Sequence, residues 1–378
     1  PLYFFVKILN RFYKSLVEAY RQGELDSRPR IPNYRKRGGL ATVTYPKQAL
    51  KLKYGKIRVP LGKTCKRWFG LDSFYILMPS NLDFEKIKEL RILPRNKCFY
   101  FEFVYDRKVE VPELNQDNAL MIDPGLNNWL TCVSNVDTSF IIDGKNIKSM
   151  NRWYNKQVSV LKENKPQGFW NKKLALITEK RNRQMRDCIN KAARVVINHC
   201  LQNDIGTIIF GWNKRQKDII NIGKKNNSEF VPIPQVRMRQ SVARRDLSLR
   251  LCARLKDRIK ELCREIGLRF VETEESYTSK TSFLDGNYLP TLGEKPQDWK
   301  PSGRRVKRGL YRTAKNWYVN CDAQSAGNIG RKVSTKDLSA CTLGIDLSRL
   351  SRALLTAPQR ISLWSANGKV KGCGFCPS

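Results

Sequence analysis

Acidic residues that could bind a metal ion stand at the ends of apolar runs in this chain. Asp123 closes the run LMID, just before a Pro-Gly pair that ends the predicted strand. Asp322 stands at the predicted N-terminus of a helix, and the run RFVETEES supplies three glutamates. The three are Glu272, Glu274 and Glu275. Mg²⁺ prefers carboxylate oxygens, and bound phosphate and water complete its octahedron, so these acids suit metal-dependent phosphodiester hydrolysis.

Each of these acids alone also has an ordinary structural interpretation. An Asp before Pro-Gly commonly caps a turn, and an Asp at a helix start commonly serves as the N-cap. Consecutive glutamates commonly form a solvated strand end. What favours the catalytic hypothesis is that all three positions fall at element ends within one order of strands and helices.

The charge of the chain points to a polyanionic partner. The 378 residues include 71 Lys and Arg against 34 Asp and Glu, for a formal net charge of +37. Such a charge repels itself unless a polyanion neutralises it, so nucleic acid is the predicted partner. A membrane surface is the weaker alternative, since no run approaches the roughly 18 apolar residues of a membrane span.

Cysteine usage predicts the compartment. Eleven cysteines are scattered along the chain without a disulfide framework, which is typical of a reducing compartment. The expectation is a cytoplasmic, nucleoid-associated protein. The lone CxxC pair, Cys373 and Cys376, is interpreted as ordinary rather than as half of a zinc site.

Element patterns divide the chain into regions. Residues 2–22 have helical spacing, and a basic linker rich in Pro and Gly follows at 26–39. Alternating patterns over 41–111 predict a small antiparallel β domain, whose interleaved aromatic and basic residues suit contact with bases and phosphates. The alternative for each aromatic residue is the core of a plain barrel.

The remainder of the chain predicts an α/β domain. Three strands precede a basic helical region at 148–204, and the strand TIIFGWN, a helix at 235–266, the strand LRFVETEES and the helix DAQSAGNIGRKV follow. This order is typical of an RNase H-like fold, a mixed sheet with helices packed on it. The single histidine, His199, has helical spacing with apolar neighbours and is interpreted as packing or a helix-end cation.

Four segments together resemble the TnpB (OrfB) family of transposon-encoded RNA-guided nucleases. They are IDPGLNNWLTCVS, ETEESYTSK, GRRVKRGLYRT and NCDAQSAGNIGRKV, within residues 41–333. The family is related to Fanzor proteins and type V CRISPR effectors. The resemblance implies a helical recognition remnant and linker at 1–40, a β-barrel-like wedge domain at 41–115, a RuvC-like nuclease domain at 116–335 and a tail of unassigned role at 336–378. Most of the recognition insert would then lie upstream of residue 1.

The resemblance also implies a catalytic site with two Mg²⁺ ions. Its first and third carboxylates fall on Asp123 and Asp322, although Gln324 and Ser325 replace the usual Asn and Ala of the third motif. The second carboxylate, usually at the end of the fourth strand, falls on Gly211. A glutamate of the fifth strand could enter the pocket across that glycine, as in Fanzor and one branch of TnpB. The preferred candidate is Glu275, followed by Glu274 and then Glu272.

Most relatives carry a four-Cys zinc ribbon before the third carboxylate, and this chain has no cysteine between Thr278 and Asn320. No zinc is therefore predicted there, and Trp299 and Tyr311 are candidates to hold the loop. Two basic clusters are predicted to clamp phosphates. They are Lys214, Arg215, Lys217, Lys224 and Lys225, and Arg304, Arg305, Lys307 and Arg308.

Three functions compete at this stage. The first is an RNA-guided DNA endonuclease whose partners are a guide RNA from the element and a double-stranded target DNA. The second is a catalytically inactive RNA- and DNA-binding protein of the same fold. The third, a basic ribosome-like or membrane-surface protein, fits the charge but explains none of the acid positions. The oligomeric state cannot be read from the sequence.

Overall fold

A computed structural model describes residues 2–23, 25, 28–29, 39–107, 109, 111–125, 127–212, 238–334 and 345–364. The helices there are α1 (Leu2–Arg21), α2 (Lys63–Phe69), α3 (Lys145–Leu161), α4 (Lys172–Gln202), α5 (Met238–Ile266), α6 (Cys321–Ser334) and α7 (Arg352–Thr356). The chain divides into two compact units, Pro1–Lys108 with Trp170–Glu179, and Val109–Phe169 with Lys180–Ser378.

Fifteen strands lie in the described residues. They are β1 (Val43–Pro46), β2 (Lys51–Lys53), β3 (Lys56–Pro60), β4 (Ser73–Leu77), β5 (Ile87–Arg95), β6 (Cys98–Tyr105), β7 (Ala119–Pro124), β8 (Asn128–Ser134), β9 (Ser139–Asp143), β10 (Thr207–Gly211), β11 (Arg269–Thr273), β12 (Arg304–Lys307), β13 (Leu310–Arg312), β14 (Tyr318–Asn320) and β15 (Gln359–Ile361). The predicted order of three strands, helices, strand, helix, strand and helix is confirmed in the second unit.

Two three-stranded antiparallel sheets contain the strands of the first unit. Their strand orders are β1-β5-β6 and β2-β3-β4. Both contribute to one apolar core around Ile57, Val59, Ile87 and Leu90. The outer strands of one sheet do not pair with those of the other in the described residues, so two sheets stand where the resemblance implied a β-barrel-like domain.

A six-stranded mixed sheet is the centre of the second unit. Its order is β11-β10-β7-β8-β9-β15. Strands β7, β8 and β9 form an antiparallel meander, while β10 pairs parallel with β7 and β11 parallel with β10. All five residues of β10 are buried, as expected of a strand covered on both faces.

The two faces of this sheet build two separate cores, because successive side chains of a strand point to opposite faces. Leu120 and Ile122 of β7 join the core that contains α4 and α5. Ala119 and Met121 of the same strand join the core that contains α6. The second face therefore brings the start of α6 to the end of β7, where Asp123 lies.

The tail, which had no predicted role, contributes one strand to this sheet. Strand β15 pairs parallel with β9, and Leu350 and Leu355 pack into the core of α6. The short sheet β12-β13-β14 was likewise not predicted. Such pairing depends on chain segments distant in sequence, so local patterns do not reveal it. No helix of the described chain is long and apolar enough to cross a membrane.

Candidate active site

Strand β7 places Asp123 at the end of the central sheet. Asp123 lies opposite Thr131 of β8, and alternation puts its carboxylate on the face of Met121, which α6 covers. The Ser325 hydroxyl of α6 donates a hydrogen bond to that carboxylate. Asp123 is therefore tied to the helix that carries Asp322.

Asp322 lies in the first turn of α6, but a neighbour caps the helix. The side-chain oxygen of Asn320 accepts from the backbone N–H of Asp322 at 2.9 Å and from that of Ala323 at 3.1 Å. Asn320 thus satisfies the amides that an N-cap must satisfy. The Asp322 carboxylate instead accepts a hydrogen bond of 2.6 Å from Nδ2 of Asn128.

The three glutamates of the fifth strand have different surroundings. Glu272 forms ion pairs with Lys256 at 2.7 Å and Lys260 at 3.0 Å, both on α5. Burial opposes ionisation there, but the two lysines together lower the pKa of Glu272. Glu272 therefore has a structural role on the side of α5.

Glu274 forms an ion pair with Lys332 of α6. The Lys332 ammonium also donates to the backbone oxygen of Pro290 at 3.1 Å, and its side chain is only 4% exposed. This pair fastens the chain after β11 to the last turns of α6. Glu274 and Glu272 are thus both engaged by lysines.

Glu275 lies beside Gly211, the residue that ends β10. A Cβ added at Gly211 would stand 3.4 Å from Oε2 of Glu275 and 2.5 Å from Cδ1 of Ile329. The Glu275 carboxylate therefore lies near the end of β10. At that position relatives carry the second carboxylate, and this chain has Gly211 instead. A side chain at position 211 would compete with Ile329 and Glu275 for the same space.

Replacement of Gly211 by Ala is expected to lower the free energy of unfolding by about 1–3 kcal/mol, because the new methyl group overpacks the site. Chemical denaturation of parent and variant measures the difference. The Ile329→Val change removes the clashing Cδ1, so the double variant should be more stable than the sum of the two single effects implies. A Gly211→Ala protein as stable as the parent would contradict the close packing.

The three carboxylates Asp123, Glu275 and Asp322 interact electrostatically. Burial raises the pKa of Asp123 well above its usual value, and the negative charges of Glu275 and Asp322 raise it further. Burial also raises the pKa of Glu275 to about 7. Like charges held together in a partly buried place favour a cation among them.

No group of three His, Cys, Asp or Glu residues in the described ranges is already arranged to hold a metal ion. The donor set nevertheless fits Mg²⁺, since it consists of hard carboxylate oxygens whose mutual repulsion a divalent cation relieves. Asn128 and Ser325 hold two of these carboxylates from the side by hydrogen bonds. Such supporting contacts are typical of metal sites in proteins.

The raised pKa of Glu275 predicts a pH dependence of stability in the metal-free protein. An unfolded glutamate titrates near pH 4.3, whereas Glu275 in the folded protein has a pKa of about 7. The folded state binds more protons between these values, so the stabilising contribution is full below the lower value and is lost as the pH rises through 7. Glu275→Gln should flatten this fall, as thermal unfolding in EDTA across this range would show.

The matched control for that series is Glu272→Gln. Because lysines lower the pKa of Glu272, its contribution has the opposite sign and is lost as the pH falls. If the Glu275→Gln and Glu272→Gln proteins changed with pH in the same direction relative to the parent, the raised pKa of Glu275 would be refuted.

A polar network joins the glutamate segment to α6. Thr278 donates from its hydroxyl to the backbone oxygen of Glu275 at 2.8 Å and lies 2.9 Å from the Ser325 hydroxyl. The Asn328 amide donates to the backbone oxygens of Thr278 and Thr281 at 2.9 and 2.8 Å. The Thr-Ser and Ala-Gly-Asn-Ile segments of the resemblance thus meet in space and set the backbone position of Glu275.

The segment between Thr278 and α6 is held by aromatic and polar contacts. The buried Tyr311 donates from its hydroxyl to the backbone oxygen of Lys280 at 3.0 Å. The Trp299 indole donates to the backbone oxygen of Tyr288 at 2.9 Å, and its ring meets that of Tyr277 edge-on at 5.7 Å. Both residues named from the sequence make such contacts, and the absence of zinc remains a prediction.

Two residues that were not predicted as site residues, Asn128 and Arg360, orient the Asp322 carboxylate. Asn128 bridges Asp322 and Arg360, because its amide oxygen accepts from Nη1 of Arg360 at 3.0 Å. Arg360 belongs to β15 of the tail. Asn128 could have been predicted from the Asn-Asn pair of the IDPGLNN segment. The sequence around Arg360 contains no motif that would identify it as a site residue.

Only one of the two predicted basic clusters falls on described residues. The cluster of Lys214, Arg215, Lys217, Lys224 and Lys225 lies outside them. Arg304, Arg305 and Lys307 are exposed on β12, and Arg308 is exposed in the following turn. Burial raises the pKa of Cys321 while the nearby Arg305 opposes that rise, so this cluster approaches the start of α6, where Asp322 lies.

His199 is partly buried and packs against Phe140, a residue of the core of the second unit. Its Nε2 lies 2.8 Å from the hydroxyl of Thr138, and its ring packs 4.6 Å from that of Phe140. Burial lowers the pKa of His199 to about 4. The side chain is therefore a neutral packing residue at physiological pH, as one of the two sequence interpretations stated.

Comparison with known proteins finds similar solved structures and one matching family model. Similar solved structures include a Cas12f1–sgRNA–target DNA complex (TM-score 0.36, 13% identity, 83% of this chain and 74% of that chain). A CRISPR-Cas12f ternary complex is also similar (TM-score 0.37, 15% identity, 68% of this chain and 46% of that chain).

One family model matches part of the chain. Among curated proteins no match was found. Residues 102–217 match the model OrfB_IS605, described as a probable transposase. This segment contains β7 to β10, and with them Asp123 and Gly211. The match covers about a third of the chain and agrees there with the resemblance to TnpB that the sequence motifs predicted.

Proposed function

We propose that the chain is an RNA-guided DNA endonuclease of a transposable element, with a guide RNA and a double-stranded target DNA as partners. The observation that supports cutting most directly is the convergence of Asp123, Glu275 and Asp322, whose charges act on one another at the end of the sheet. The family match supports the transposon origin. The net charge of +37 supports nucleic acid as the partner.

Asp123, Glu275 and Asp322 would hold Mg²⁺ in this proposal. When bound, the metal would activate a water molecule and stabilise the leaving oxygen of the phosphodiester. The protein's own residues orient the ligands: Asn128 holds Asp322, and Ser325 holds Asp123. Thr278 donates to the backbone oxygen of Glu275 and its hydroxyl lies 2.9 Å from that of Ser325, so the Glu275 segment contacts the residue that holds Asp123.

A branch assignment is also part of the proposal. Glu275 beside Gly211 suits the branch in which the second carboxylate has moved to the fifth strand. The aromatic and polar contacts of Trp299 and Tyr311 would replace the four-Cys zinc ribbon of other members. Metal analysis of the purified protein should accordingly find no stoichiometric zinc.

The second candidate function is guide-RNA and DNA binding without cutting. It is favoured by the finding that no three potential ligands in the described chain are already arranged around a metal position. Isothermal titration of Mg²⁺ into the RNA-bound protein separates the two functions. If the parent binds Mg²⁺ and the Asp123→Asn variant loses that binding, the nuclease function is favoured. If the parent shows no Mg²⁺ binding that depends on Asp123, the inactive protein is favoured.

The functional test uses the protein expressed together with the DNA that flanks its gene. Sequencing the co-purified RNA identifies the guide, and a DNA duplex that matches it is then incubated with Mg²⁺ or with EDTA. Cleavage that requires both Mg²⁺ and the matching sequence is the expected result. Bound RNA without cleavage would support the second function, and absence of bound RNA would overturn both.

A further inference from the structure

The β2-β3-β4 sheet of the first unit has one face that carries cations and aromatic or apolar side chains but no acid. Lys51 pairs across the strands with Arg58, and Lys53 with Lys56. Directly opposed residues of antiparallel strands point to the same face, so these four cations share it. The opposite face carries Ile57 and Val59 and packs into the core.

Two like-charged pairs directly opposite one another destabilise a sheet. No Asp or Glu occurs on β2, β3 or β4. Of the acids nearby, Asp72 pairs with Lys66 at 2.9 Å and Glu85 with Lys47 at 2.7 Å. Lys51, Lys53 and Lys56 are exposed. An external polyanion is the partner that would relieve this repulsion.

The third strand adds aromatic and apolar side chains to the same face. Tyr75 of β4 lies opposite Arg58, and Leu77 lies opposite Lys56. Their exposed fractions are 51% and 75%. One side of the face is therefore cationic and the other can support the flat surface of a base.

The turn between β2 and β3 presents a further aromatic ring. Tyr54 has a φ of 48° and Gly55 a φ of 69°, which is the two-residue type I′ turn of β-hairpins. Asn is the residue favoured at the first position, whereas a bulky residue there is strained. Tyr54 is nevertheless 100% exposed. A strained and fully exposed aromatic residue points to a function for the ring.

We propose that this face, together with the Tyr54 tip, binds an unpaired segment of RNA. Phosphates would lie along the cations of β2 and β3, and bases would stack on Tyr75 and Tyr54. A flat three-stranded face does not enter a duplex major groove, which admits a helix or a two-stranded ribbon. The choice of RNA over single-stranded DNA rests on the proposed function, in which RNA is the stable partner.

The first test replaces Tyr54 by Asn in the full chain. This change suits the turn, so thermal stability should be equal or higher, while the stacking ring is lost. The affinity for a single-stranded oligouridine of about 20 nucleotides should fall by roughly 5- to 150-fold, measured by fluorescence anisotropy near physiological salt. Tyr54→Phe keeps the ring and should bind as the parent does.

The second test replaces Lys51 and Lys53 by Gln. The slope of log affinity against log salt concentration should flatten by about 1.4, since each lost phosphate contact on a single strand contributes about 0.7. The matched control changes both residues to Arg and should keep the parent slope. The two variants differ in charge but have similar side-chain lengths.

The affinities of other ligands test whether this face binds unpaired RNA. The parent should prefer the oligouridine to duplex RNA, to oligothymidine and to vesicles containing phosphatidylglycerol. Tighter binding of any of these that depends on Tyr54, or unchanged oligouridine binding by Tyr54→Asn and by the Gln pair, would overturn the proposal. Mg²⁺-dependent DNA cleavage is measured separately. If the parent does not cut DNA but its RNA binding depends on Tyr54, the proposed nuclease function is wrong and the proposed RNA-binding surface is supported.

Discussion

Replacement of Glu275 by Gln is expected to reduce Mg²⁺-dependent DNA cleavage by at least about 10³-fold, equivalent to about 4 kcal/mol of transition-state stabilisation. The reason is that Gln keeps the shape of the side chain but removes one of three charges that would hold the metal. RNA binding should be unchanged, because Glu275 lies among acids at the end of the sheet rather than on a basic surface.

The neighbouring glutamates provide the controls for this experiment. Glu272→Gln should cut as the parent does, since its carboxylate pairs with Lys256 and Lys260 on the opposite side. Asp123→Asn and Asp322→Asn should be as inactive as Glu275→Gln. Full activity of Glu275→Gln would show that another group holds the metal, even if the chain is a nuclease.

Replacement of Lys332 by Met is expected to lower the free energy of unfolding by about 3–5 kcal/mol. Lys332 is 4% and Glu274 19% exposed, so removing the ammonium leaves a mostly buried carboxylate without its main partner. The backbone oxygen of Pro290 also loses a donor. Urea denaturation, with the slope compared between proteins, measures the loss.

An exposed ion pair on α4 is the matched control. Lys191 pairs with Asp187 at 2.8 Å with side chains 46% and 53% exposed, so Lys191→Met should cost less than about 1 kcal/mol. Replacing Glu274 by Leu together with Lys332 by Met should recover much of the loss, because no unpaired charge then remains. Equal effects of Lys332→Met and Lys191→Met would contradict the importance of burial.

Both predictions concern the segment after β11, which contains Glu274 and Glu275. Glu274 fastens this segment to α6 through Lys332, and the next residue carries the carboxylate beside Gly211. Loss of the ion pair should therefore also weaken cleavage in the fraction that stays folded. Activity measured at temperatures below the unfolding transition separates this positioning effect from instability.

The order of elements in the second unit follows from periodicity in the sequence. Apolar runs such as LMID and TIIFG are long enough to be recognised as strands from sequence, and the structure places both in strands. The charge likewise follows from composition alone. Asp123 and Asp322 were selected by motif, and the structure brings them together with Glu275, although their role in metal binding remains a proposal.

Only the tertiary structure distinguished the three glutamates. Strand β11 ends at Thr273, so the two-residue alternation that predicts side-chain direction does not extend to Glu274 and Glu275. Their directions depend instead on Lys332 and on the space beside Gly211, which come from other elements. The same holds for Arg360, whose strand reaches the sheet from the tail. Local sequence determines whether a segment forms a helix or a strand. Contacts between elements distant in sequence determine which carboxylates lie close together.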